Sequence, residues 1–272
     1  MARVDGRLRT DSIPLDRLFW LLAPWLSGIL VVALWQGVAS SGWVTPFMLP
    51  RVTVVIARIW SDAVSGGLFV QIGLTLYRSL LGFFIAGVAG IVLGILIARN
   101  RFVNWFFDPI ISVGFPMPKI AFLPVVILWL GLYDVSKVSM VVLDAIFPVV
   151  TATVVGTLGV ERELLWSARN MGASDRQMLR EIIFPAALPQ IMTGLQVSLP
   201  IALIVCIVTE MRMGGQGLGA AMMTASRFAD SPGVFAGIFE IAVVGYVLVK
   251  GMTLLRRRLL LWHPEALPPA TV

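Results

Sequence analysis

Residues 159–191 read GVERELLWSARNMGASDRQMLREIIFPAALPQI, and how this stretch is read decides the fold of the whole chain. It is the one long polar interruption in the second half of an otherwise apolar sequence. Glu161, Arg162, Glu163, Arg169, Asp175, Arg176, Arg180 and Glu181 crowd into it, in a chain with only 21 basic and 15 acidic residues. Charge at that density needs water, so the stretch lies outside any lipid core. Its local pattern is that of two short helices. Leu164, Ala168 and Met171 fall at i, i+4 and i+7 and so share one helical face, and Gly172 stands where a left-handed cap ends a helix. Ser174 and Gln177 then have capping-box spacing, and Met178, Leu179, Ile182 and Ile183 recur at helical intervals until Pro185 stops the run. Pro189 implies an offset start to the next apolar segment. On pattern alone, an amphipathic loop with no partner reads equally well.

The flanks settle the class of protein. Of 272 residues, 58% are hydrophobic and 13% charged, with a mean hydropathy of +0.91, which leaves too few polar side chains to clothe a soluble globule. Apolar runs near the length of a bilayer core cross it as helices, because unpaired backbone groups are too costly in hydrocarbon. The expected fold is an all-α membrane protein with six transmembrane helices and lipid around it. The formal charge of +6 reflects topology rather than nucleic-acid binding. With both termini on the cytoplasmic side, thirteen arginines fall on inner segments and five basic residues on outer ones, and the 159–184 loop becomes cytoplasmic.

Three regions follow. Residues 1–67 comprise a basic tail, a first span at about Phe19–Val38 and an outer segment in which Arg51–Ala63 reads as a short helix on the membrane surface. Val38-Ala39-Ser40 has the look of a cleavage site, but the apolar run is longer than a signal core, which favours an uncleaved helix. Residues 68–258 form a five-helix core. In its first span, about Leu68–Ala98, Gly82, Ala86, Gly90 and Gly94 make a smooth stripe for close helix packing. Its next span, about Asp108–Leu132, carries Pro109, Pro116, Pro118 and Pro124 and should break near Pro116–Pro118. Residues 259–272 are a short tail.

Ionisable residues inside spans are expensive and mark either a pathway or a structural pair. Arg78, Lys119, Asp144 and Glu210 are the candidate pathway residues. Lys119, at the predicted break, reads as a pathway contact or equally as an ion-paired structural lysine. Glu210 and Arg212 are placed where the span beginning near Ala186 meets the outer surface. The glycine run 214–219 lacks a Gly-Lys pair and follows a helix, so it is no phosphate cradle. Indeed no Gly-Lys-Ser/Thr motif, nucleophile elbow or His-Glu-x-x-His pair occurs, and one histidine and one cysteine exclude a Cys/His metal cluster. No enzyme and no cofactor are read in this chain. One reading from the charges is a secondary transporter in which Asp144, Glu240, Arg78 and Lys119 relay an ion.

The loop supports a sharper reading. Trp166-Ser167-Ala168, Gly172-Ala173-Ser174 and Ile182-Ile183-Phe184-Pro185 resemble the EAA loop of permease subunits in binding-protein-dependent ABC importers, with Trp166 in place of the family's Glu and Phe184 in place of its Leu. Residues 116–137, PMPKIAFLPVVILWLGLYDVSK, together with Thr75-Leu76-Tyr77-Arg78 and Leu261-Trp262-His263-Pro264, are similar to the aliphatic sulfonate, taurine and nitrate branch. The resemblance implies a type I importer permease fold in a bacterial inner membrane. It implies that Leu164, Leu165, Trp166, Ser167, Ala168, Arg169, Met171, Gly172, Ala173 and Ser174 form a coupling helix and its cap. It further implies two ATPase subunits that bind ATP and magnesium, a second and identical permease subunit, and a periplasmic or lipid-anchored solute-binding protein.

Overall fold

The computed structural model describes residues 15–262, with side chains from Leu26 onward. The basic tail before residue 15 and the ending from His263 lie outside the described residues. Helices α1 (Leu15–Ser40), α2 (Val52–Val64), α3 (Gly67–Arg99) and α4 (Arg101–Gly114) are followed by a 3₁₀ turn, Lys119–Phe122, that leads into α5 (Leu123–Leu130). Then come α6 (Asp134–Leu158), α7 (Arg162–Asn170), a single turn α8 (Asp175–Gln177), a π-helical segment Met178–Ile183, α9 (Phe184–Met213), α10 (Leu218–Arg227) and α11 (Ser231–Leu259). No strand occurs among the described residues.

Four helical stretches are long and apolar enough to cross a bilayer: α3, α6, the continuous run Asp175–Met213, and α11. The pair Arg101–Gly114 and Lys119–Leu130 passes the same test together but bends by 95°, giving a fifth crossing if it is one span. The break sits at Phe115–Pro118, where Pro116 and Pro118 supply no N–H to the preceding turn. The expected first span, Phe19–Val38, falls inside α1, and the short helix expected at Arg51–Ala63 is α2.

The core is a three-helix packing of α3, α6 and α9 made possible by residues without side chains. Gly82, Gly90 and Gly94 of α3 face Val141, Val149 and Thr153 of α6, and Ala86 between them is fully buried. Gly194 of α9 lies against Ala152 and the Pro148 carbonyl of α6 in the same way. Ser198 adds an interhelical bond, its hydroxyl donating to Ala145 O at 2.7 Å. The stripe expected from the sequence is therefore a packing seam within the chain. A methyl group at Gly90 would sit 2.9 Å from Val149 Cβ, whereas one at Gly73 on the same helix meets nothing within 4 Å. Gly90→Ala is thus expected to cost about 1–3 kcal/mol by overpacking. Gly73→Ala is expected to be neutral or to stabilise by up to about 1 kcal/mol through backbone entropy. Thermal unfolding of the two variants in detergent checks this contrast.

One expectation is corrected. Pro185 does not end the helix before it; the run passes through it into α9. The reason is the π segment: Phe184 N–H donates to Leu179 O, five residues back, and this wide register delivers Pro185 into the first turn of α9, where a missing N–H costs nothing. The second part of the polar loop, from Asp175, and the span after it are consequently one continuous rod.

Candidate functional site

Two structures stand out, one at each end of the core. The first is the loop between α6 and α9. Helix α7 ends in a left-handed Gly172 (φ +83°), whose N–H donates to Arg169 O at 3.0 Å while Ala173 N–H reaches Ala168 O at 3.0 Å. This is the glycine-terminated stop expected from the sequence, with the chain turned by a fixed geometry. Ser174 then caps the next turn: its hydroxyl accepts from Gln177 N–H, and Gln177 Oε1 accepts from Ser174 N–H at 3.0 Å. A small core of Val160, Ala168, Met178 and Ile183, with Leu165, Ala173, Leu179 and Ile182 around it, clamps α7 onto the π segment. Arg99 at the end of α3 pairs with Asp175 at 3.9 Å, so the loop and that end of α3 share one side of the molecule.

Of the face shared by Leu164, Ala168 and Met171, only Ala168 is buried. Leu165 and Ala168 point into the loop core, while Leu164 is half-exposed and Met171, just past the helix end, is 81% exposed. Leu165 and Ala168 are one turn apart at i, i+3, and the chain stops being helical before Met171 can join them. Leu164, Trp166 and Met171 are instead exposed apolar side chains on an otherwise charged loop. Ser167, Arg169 and Ser174 are also exposed.

The second structure lies at the other end of α3 and α9. Glu210 is fully buried, not at the surface. Arg78 Nη1 donates to Glu210 Oε1 at 2.7 Å and to Gln216 O at 2.6 Å, and its Nε donates to Asp134 Oδ1 at 2.8 Å. The Thr75 hydroxyl donates to Glu210 Oε2 at 2.9 Å, Gly219 N–H donates to the same oxygen at 3.1 Å, and Leu218 N–H donates to Thr75 Oγ1 at 2.9 Å. Glu210 thereby neutralises Arg78 and caps the N-terminus of α10, where a carboxylate is favoured by the helix dipole. The glycine run is what lets the chain wrap it. Gly217, at φ +126°, lies so close to Glu210 that a Cβ would overlap the carboxylate, and its N–H donates to Gln71 Oε1. Lys137, placed on an outer segment by its sequence position, is also buried and donates to Gly214 O at 3.0 Å.

Sequence reasoning missed this latch, although the signal was present. Leu199, Leu203, Cys206 and Glu210 fall at i, i+4, i+7 and i+11, all on the buried face of α9, and Lys137, Val141, Ala145 and Pro148, at i, i+4, i+8 and i+11, line the buried face of α6. Arg212, in contrast, is exposed.

Of the remaining pathway candidates, Lys119 and Asp144 form a separate pair. Lys119 Nζ donates to Asp144 Oδ1 at 3.0 Å and to Phe115 O at 3.2 Å, and lies 4.6 Å from the centre of the Phe147 ring. Asp144 is ten residues into α6 and Asp134 at its start, so the two ion pairs sit about 15 Å apart along the helix at a rise of ~1.5 Å per residue. Glu240 on α11 belongs to neither pair, and its buried Oε1 makes no hydrogen bond. The structure thus does not join Arg78, Lys119, Asp144 and Glu240 into a relay. On the periphery, Arg58 of α2 pairs with Asp62 and with Asp230, which caps α11.

Comparison with known proteins places this architecture. The family described as binding-protein-dependent transport system inner membrane component matches residues 90–261. A Bacillus subtilis (strain 168) protein named for aliphatic sulfonates transport as a permease is 34% identical over 243 residues, covering 88% of each chain. The taurine transport system permease protein of Escherichia coli (strain K12) is 32% identical over 257 residues, 93% of each chain. In fold, the chain is similar to a solved inward-facing structure of the methionine ABC transporter MetNI, with a TM-score of 0.56 at 17% identity over 72% of this chain and 95% of that one. A glycine-stopped loop helix, a small-residue helical core and these matches agree, and the chain belongs to the binding-protein-dependent transport system inner membrane components, as a permease subunit of an ABC importer.

Proposed function

We propose that this permease couples ATP hydrolysis on two separate ATPase subunits to the import of a small organic anion, a sulfonate or a taurine-like compound, through a pathway formed with a second, identical copy. The observation that carries the reading is the loop. Its α7 helix is held from below by a buried apolar cluster, stopped at a fixed angle by Gly172, and joined through a π segment to a 30-residue spanning helix. A short helix of that build is a lever: a partner that grips Leu164 and Met171 moves α9 with it, because the turn at Gly172 is clamped onto the π segment by the buried cluster. ATP and magnesium belong to the ATPases, since this sequence has no phosphate loop.

In this reading the loop and both termini face the cytoplasm, and a periplasmic or lipid-anchored solute-binding protein delivers substrate to the opposite face. Lys119 and Asp144 are the pathway contacts, while Arg78 and Glu210 close on one another and hold the outer ends of α3, α9 and α10 together. The relatives' names support the sulfonate class. Trp166, where the family pattern has Glu, gives the ATPase an apolar contact instead of an acidic one.

Purification of the tagged protein from its native membrane, with mass spectrometry of what remains bound, tests the assembly. Recovery of an ATP-binding-cassette ATPase is expected. Recovery of the chain alone, moving solute in a proton or sodium gradient, would overturn the proposal.

A further inference from the structure

The two intramembrane ion pairs differ in how completely they are closed. Around Glu210 both carboxylate oxygens are taken, by Arg78, Thr75 and Gly219, and the residue is fully buried. Asp144 holds Lys119 through Oδ1 alone, and its side chain is 23% exposed. The lysine is the fixed member. Its side chain is only 8% exposed, its ammonium caps the carbonyl that the α4 break leaves at Phe115, and it rests over Phe147. A cation at the C-terminal end of α4 is also favoured by the helix dipole. The turn above it, Phe115–Pro118, is exposed, so this side of the break is open rather than packed.

Asp144 lies about 15 Å from one end of α6 and about 21 Å from the other, which puts the pair near the middle of a ~30 Å hydrocarbon layer. A charge there must face a counter-charge, a backbone carbonyl or a water-filled space. Lys119 is anchored by contacts of its own, so the group that can be exchanged is the carboxylate, and what replaces a carboxylate on an ammonium is another anion.

We infer that Lys119 is an anion-contact site midway along the translocation pathway, and that Asp144 is the internal counter-ion that occupies it between transport cycles. A sulfonate, or another singly charged oxyanion, takes the place of Asp144 on the lysine as it passes, and the carboxylate returns behind it. While the sulfonate sits on the lysine, the displaced charge is the Asp144 carboxylate, the more exposed member of the pair. The inference deepens the proposed function and rests on its assignment of an anionic substrate.

The test is uptake of radiolabelled taurine and of ethanesulfonate by proteoliposomes holding the permease with its ATPase and binding protein. Removing one partner alone would leave a buried charge unpaired and could simply misfold the protein, so the informative variant is the double replacement Lys119→Met/Asp144→Leu, beside Lys119→Arg. Replacing a buried ion pair by apolar residues of similar size is commonly tolerated by the fold. The double variant is expected to purify as an assembled complex yet lose uptake about tenfold or more, equivalent to ~1.4 kcal/mol or more. Lys119→Arg, which keeps the charge, is expected to retain most of it. Uptake in the double variant equal to that of the wild type would assign the pair a purely structural role and overturn the inference alone. Wild-type protein that moves neither probe, but does move an uncharged solute, would overturn the anionic substrate and the inference with it.

Discussion

Glu210→Leu is expected to remove most of the folded protein from the membrane. The substitution leaves the Arg78 guanidinium buried with only the partly exposed Asp134 as counter-charge, and strips Thr75 and Gly219 N–H of their acceptor. Breaking a buried ion pair from one side costs about 3–5 kcal/mol, comparable with the whole stability of many domains. The double variant Arg78→Met/Glu210→Met removes both charges and is expected to recover a large part of the loss. Fluorescence-detected size-exclusion profiles and thermal midpoints in detergent read both effects. A Glu210→Leu protein within about 1 kcal/mol of wild type would show that the latch contributes no more than a surface pair does.

The second large effect is expected at the loop. Gly172→Pro forbids the left-handed backbone and removes the N–H that reaches Arg169 O, so α7 loses its fixed stop. Met171→Asp places a charge beside the exposed Leu164 face of α7 without touching the loop core, since Met171 is 81% exposed. Interface residues of this kind contribute about 2 kcal/mol or more when they anchor a partner, a loss of some thirtyfold in affinity. Both variants are expected to insert and fold, to lose the bound ATPase, and to lose ATP-driven uptake. Met171→Asp is the cleaner of the two because its effect cannot be assigned to backbone strain. Retention of the ATPase and of uptake by Met171→Asp would remove α7 from the coupling role.

Much of this was legible in the sequence for physical reasons. Backbone chemistry makes Gly172, the Ser174–Gln177 box and the Pro116–Pro118 break readable from residue type alone, and all three are where the sequence puts them. The glycine stripe of α3 is readable because only small residues allow helices so close, although the sequence did not name α6 as the partner. What failed depends on register and on distant partners. Pro185 looked like a stop because the rule assumes an α-helical register, and the π segment that precedes it has no residue signature. Leu164, Ala168 and Met171 share one face of an ideal helix, whereas the helix ends at Asn170 and its inner face is set by Leu165 and Ala168. Glu210 looked like a surface residue because it ends an apolar run. Its burial depends on Arg78, which is 132 positions away in sequence.

Transmission of ATP-driven motion through the loop to a membrane pathway is read out by reconstitution. The permease is reconstituted with its ATPase and solute-binding protein in proteoliposomes, and uptake of labelled taurine or ethanesulfonate is followed with and without ATP, with no ion gradient imposed. Uptake that needs both ATP and the binding protein, and is lost in Met171→Asp, is the result predicted. Uptake by the permease alone, driven by a proton or sodium gradient and indifferent to Met171→Asp, would contradict it.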